Sequence, residues 1–112
     1  MEEFVRGDVV IVPFPFSDLS AVKRRPALVI ANFQGPDIIL CQITSKKKYD
    51  FLSIGLAKED FTRGGLAVDS FVRPNRIFTA EKSIIQYRAG TINEEKLKEV
   101  KSVLISLLEG KL

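Results

Sequence analysis

The residues best suited to chemistry gather in two basic clusters, each joined to an apolar run. Lys23-Arg24-Arg25 leads straight into Pro26-Ala27-Leu28-Val29-Ile30-Ala31-Asn32, and Thr44 is followed by Ser45-Lys46-Lys47-Lys48-Tyr49. A guanidinium supplies a fixed charge with paired donors, a hydroxyl adds a hydrogen bond, and a ring offers a stacking face, a set that suits a polyanion. Pro26 lacks a backbone donor and drives Arg25 towards an extended conformation, so the arginine stands where a loop enters a sheet. A solvated basic loop that merely begins a strand has the same composition.

The elements that must position these residues follow from the apolar pattern. Residues 27–33 and 38–44 are continuous apolar runs around Gln34-Gly35-Pro36-Asp37, which predicts a long antiparallel hairpin buried on both faces. Arg25 lies about ten positions before that turn and Thr44 about eight after it, so the hairpin brings the two to one end of the sheet. The second basic loop, with Lys46, Lys47 and Tyr49, leaves from the same end.

Elsewhere, the β-branched run at residues 9–12 reads as a strand that Pro13 and Pro15 force to an exit. Residues 17–24 read as a surface loop and 51–56 as a strand. A single helical turn is expected over 57–61, and Thr62-Arg63-Gly64-Gly65 reads as flexible. Residues 66–72 return to strand, Pro74-Asn75-Arg76 predicts a kink, and Thr79 reads as the entry to a short helix. A further strand spans 87–92. Asn93 then caps a helix over 94–109, with Leu97, Val100, Leu104, Leu107 and Leu108 at helical spacing and Gly110 at its end. The expected architecture is mostly β with α: one domain, a small antiparallel β-barrel with short helices and a C-terminal helix.

Composition narrows the function classes. The chain has 112 residues, 17 basic against 14 acidic, and a net charge of +3, which suits a polyanionic partner without requiring one. It contains no histidine and one cysteine, Cys41, so transition-metal sites and an intrachain disulfide are excluded. No metal or cofactor is expected. No leader-like segment or apolar run near the roughly 18 residues of a membrane span occurs, which predicts a cytoplasmic protein without membrane attachment.

Several segments in order resemble the MazF/PemK family of toxin endoribonucleases. They are Arg6-Gly7-Asp8-Val9-Val10, the run from Arg25 to Asn32, Cys41-Gln42-Ile43-Thr44-Ser45, Asp69-Ser70, and Arg73-Pro74-Asn75-Arg76-Ile77 with Thr79. No single piece is diagnostic, whereas their order and spacing run nearly end to end. The resemblance implies an SH3-like barrel, a homodimer, metal-independent cleavage of single-stranded RNA, and neutralisation by a cognate antitoxin.

Carried over by position, the resemblance makes Arg25 the catalytic arginine and Thr44 the catalytic hydroxyl, the two residues that the hairpin already pairs. When an RNA 2′-hydroxyl attacks the adjacent phosphorus, charge grows on the phosphoryl oxygens, and a guanidinium meets it with two donors. Guanidinium groups keep their proton near neutral pH, which favours charge stabilisation over general-base work for Arg25. Asp18 is the nearest loop carboxylate for the proton. Ser20, Lys23, Arg24, Lys46, Lys47, Tyr49, Ser70 and Arg73 are candidate RNA-binding residues, with Phe16 as a second stacking ring. Each also has a plain structural reading as a solvated charge, a plug or a turn-forming hydroxyl. The loop at 16–23 departs from the Gly-Ser-Glu-Gln type of many members, and Phe78 stands where many have arginine. Both changes bear on substrate preference. A non-catalytic toxin of the same barrel type that grips DNA gyrase, as CcdB relatives do, and a simple RNA-binding barrel are the alternatives.

Overall fold

A computed structural model describes residues 3–15, 22–46 and 51–112. Among these residues, seven strands form one antiparallel sheet that curls into a half-barrel: β1 (Asp8–Pro15), β2 (Val22–Asn32), β3 (Asp37–Thr44), β4 (Ile54–Leu56), β5 (Phe61–Gly64), β6 (Ser70–Glu81) and β7 (Tyr87–Ile92). Their spatial order is β4-β6-β3-β2-β1-β7-β5. Short 3-10 turns occupy Lys58–Asp60 and Lys82–Ile84, and the helix α1 (Glu94–Leu108) closes the chain. The expected small antiparallel barrel with a C-terminal helix is the observed architecture.

β2 and β3 lie at the centre and are buried on both sides, which is why their sequences show no clean alternation. Leu28, Cys41 and Ile43 join Val9, Val72 and Ile92 on the face that packs against Val100 and Leu104 of α1. Ala27, Val29, Ile38 and Leu40 join Val10 and Val12 on the other face, beneath Phe4, Phe14, Phe78 and Ile85. The helix docks because its apolar stripe meets the first face. Its start is fixed by the Asn93 side chain, which accepts from the Lys96 N–H at 2.7 Å.

Several local expectations change. β1 does not stop at its prolines but runs to Pro15, pairing Pro13 with Arg24 and Pro15 with Val22. The Ile11 carbonyl accepts from Gln86 on the β7 side, so by alternation the nitrogens of Pro13 and Pro15 face an edge where β7 pairing has already ended at Ile11 and Tyr87. Residues 61–64 are a strand, because Gly64 and Gly90 let β5 and β7 approach closely; a Cβ on Gly90 would lie 2.7 Å from the Arg63 carbonyl oxygen. In the 51–56 run, only Ile54–Leu56 is strand. Finally, the kink and helix entry expected between 74 and 82 are one continuous strand, β6, carrying a bulge.

Candidate active site

Pro26 opens the site. By alternation its backbone faces β3, to which it has no N–H to give, and the β2–β3 ladder ends one residue later at Ala27 opposite Gln42. Continuing that register two residues past the end places Arg25 across from Thr44. Arg25 is held on its other side by pairing with Val12 of β1, and Thr44 by pairing with Phe71 of β6. Both side chains therefore come from paired strands whose mutual ladder has parted.

The opening is a cleft of about 760 Å³. Arg25, Thr44 and Lys46 line it together with Arg73 and Arg76, while Gln42 and Thr79 add polar groups. Pro13, Phe14, Ile77 and Phe78 form its apolar wall, where the Phe14 and Phe78 rings meet edge to face at 4.9 Å between centroids. Thr44 is 8% exposed, and its Oγ1 accepts from the Lys46 N–H at 3.2 Å, which leaves the hydroxyl proton to donate elsewhere. Four cations and no carboxylate stand in the lining among the described residues.

Arg73 and Arg76 reach the cleft through the bulge in β6. Cys41 pairs with Ile77 and Ile43 with Val72, so residues 73–76 all stand opposite Gln42 alone. Pro74 is tolerated there because the bulged segment makes no regular ladder. Arg76, Gln42 and Thr79 are site-lining residues that sequence reasoning did not assign to the site, although all three stand in the segments that carry the family resemblance.

The other candidates divide. Lys46 and Arg73 line the cleft with Arg25 and Thr44. Lys23 and Arg24 are exposed on β2 outside the lining, Lys23 on the Arg25 side and Arg24 on the opposite one. Ser70 is buried and donates to the Val68 carbonyl at 3.0 Å, closing its own turn away from the cleft. Phe16, Asp18, Ser20, Lys47 and Tyr49 lie outside the described residues. Cys41 is no nucleophile, since burial pushes its thiol up to about 12. A second cleft, about 730 Å³, lies at the turn end of the β2–β3 hairpin between Phe4, Asn32 and Phe33. It includes the carboxylate of Glu3, and its Lys82 ammonium donates to the Phe33 carbonyl at 2.6 Å, so it lacks the cationic character of the first.

Comparison with known proteins agrees with this fold. MazF (Form-I) from Deinococcus radiodurans is similar in fold, with a TM-score of 0.77 at 23% identity over 97% of this chain and 99% of that one. The MazE-MazF structure (Form-II) from the same organism gives 0.77 at 22%, over 97% and 98%. An endoribonuclease in complex with its cognate antitoxin from a mycobacterial species gives 0.72 at 18%, over 97% and 96%. Comparison with curated protein sequences finds no significant match. The family model described as PemK-like, MazF-like toxin of type II toxin-antitoxin system matches residues 5–108. The chain thus belongs to the PemK-like, MazF-like family of type II toxins.

Proposed function

We propose that this toxin is an endoribonuclease that cleaves single-stranded RNA by attack of a 2′-hydroxyl on the adjacent phosphorus. The observation that carries the reading is the juxtaposition of Arg25 and Thr44 across a parted ladder, in a cleft whose charged groups, among the described residues, are all cations. Arg25 stabilises the charge that builds on the phosphoryl oxygens, and the Thr44 hydroxyl donates to the same group. Lys46, Arg73 and Arg76 draw in the flanking phosphates. The described lining offers cations and hydroxyls, a set that repels a metal ion and meets an anion directly. DNA lacks the attacking hydroxyl and is not a substrate by this route.

The partners follow from the same charge. A cognate antitoxin segment with acidic residues would occupy the cationic cleft and block RNA; MazE-MazF and endoribonuclease–antitoxin complexes among the structural relatives support that pairing. We also assign a homodimer and a cytoplasmic setting. Among the described residues no helix is long and apolar enough to cross a membrane.

The test is cleavage of a broad set of unstructured RNAs by purified protein in excess chelator. Wild-type protein cuts, and Arg25→Ala loses about 10²–10³-fold in kcat/KM with its melting temperature preserved. Intact RNA after exposure to folded wild-type protein removes the reading, and inhibited gyrase supercoiling in its place would favour the non-catalytic alternative.

A further inference from the structure

The arginine bulge of β6 has little regular backbone pairing to hold its shape. Residues 73–76 face one residue of β3, and Pro74 has no N–H to contribute. At its first residue, however, a side chain intervenes: the thiol of Cys41, fully buried in the layer beneath α1, donates to the Arg73 carbonyl oxygen at 2.8 Å. A residue that only filled volume in that layer would need no donor aimed at a carbonyl. Burial also keeps the thiol protonated at any physiological pH, so the donor is always present.

We propose that Cys41 is a positioning residue: by fixing the Arg73 carbonyl, its thiol sets the bulge in the shape that presents the Arg73 and Arg76 guanidiniums to phosphates flanking the scissile bond. The proposal rests on the endoribonuclease reading for its ligand, while the shape of the bulge is testable without RNA. Arg25 and Thr44 are held by pairings with Val12 and Phe71 that lie outside the bulge, so loss of this bond weakens substrate holding more than the chemical step.

The test compares full-length wild-type protein with Cys41→Ala, Cys41→Val, Cys41→Ser, Arg76→Ala and Ile43→Val. Alanine underfills the site and valine fills it, and neither carries a donor; serine keeps one. Ile43→Val is the packing control, since Ile43 lies in the same layer and Cys41 alone in that pair bonds the bulge. Binding of a short unstructured RNA with 2′-O-methyl sugars, which cannot be cut, is followed against salt. Each phosphate contact adds about 0.7 to the slope of log K on log salt for single strands.

Arg76→Ala should lower that slope by about 0.7, and Cys41→Ala and Cys41→Val by about 0.7–1.4, with part restored in Cys41→Ser. Ile43→Val should keep the wild-type slope. On cleavable RNA the two donor-free variants should raise KM more than they lower kcat. Without RNA, their amides at 75–77 should exchange with deuterium about tenfold faster than in Ile43→Val. Wild-type slope and exchange in both donor-free variants overturn the proposal, as does Ile43→Val matching them in both. Wild-type protein that neither binds nor cuts RNA overturns the endoribonuclease reading instead; the exchange comparison tells that failure from a failure of positioning.

Discussion

In the proposed mechanism Thr44 and Arg25 divide one task between a neutral donor and a fixed charge, and their substitutions should separate accordingly. Thr44→Ser keeps the hydroxyl and should retain most activity, whereas Thr44→Val, of nearly the same shape, should lower kcat about 10–100-fold, measured by single-turnover cleavage. Cys41 gives a pH prediction. Its ordinary value is 9.0 and burial raises it to about 12, so the folded state holds a proton that the unfolded chain has lost in between. This group's contribution is therefore complete below pH 9 and declines as pH rises from 9 to 12. Native protein at pH 8 should resist thiol alkylation until denaturant unfolds it; rapid labelling of folded protein would contradict the buried, protonated thiol. The meeting of Arg25 and Thr44 at one end of the sheet was legible in the sequence because counting from the turn at Gly35-Pro36 places them within the single-residue shift that the β2–β3 ladder makes between Val29 and Ala31. Arg76 was not, because a bulge that sets four residues against one breaks the count and leaves no periodicity behind.

At the scale of elements, the site depends on strands that stop pairing at set places. Pro26 ends the β2–β3 ladder, and the bulge interrupts β3–β6 on the other side of Gln42. The pairing of β1 with β7 is anchored by Asp8, whose side chain is fully buried. Its carboxylate lies 3.0 Å from Arg88 Nε and accepts from the Thr91 hydroxyl at 2.8 Å and the Val5 N–H at 2.9 Å. Arg88→Met leaves that carboxylate buried with only neutral donors and should destabilise the fold by about 3 kcal/mol in chemical denaturation. An unchanged denaturation midpoint would show that the pair contributes nothing. The α1 cap at Asn93 and the central hairpin were visible in the residues themselves. β5 and β6 were hidden for opposite reasons: Gly64-Gly65 reads as a loop although glycine there permits close strand approach, and Pro74 reads as a break although the bulge absorbs it.

For the whole molecule, the half-barrel separates two jobs on its two faces. α1 covers one, with Val100 and Leu104 completing the core, while the other ends in the cationic cleft. A net charge of +3 is modest, yet Arg25, Lys46, Arg73 and Arg76 concentrate positive charge in one cleft, which in the proposed reading favours RNA capture and an acidic inhibitor at the same place. The central claim is that the substrate supplies its own nucleophile and the protein supplies the charge. It is tested most directly with an RNA that wild-type protein cuts at one mapped bond, remade with a single 2′-deoxy sugar on the 5′ side of that bond. The account predicts that cleavage there is abolished, and that the unmodified RNA yields a 2′,3′-cyclic phosphate end in excess chelator. Continued cutting at the deoxy position, leaving a 3′-hydroxyl and a 5′-phosphate, would contradict it.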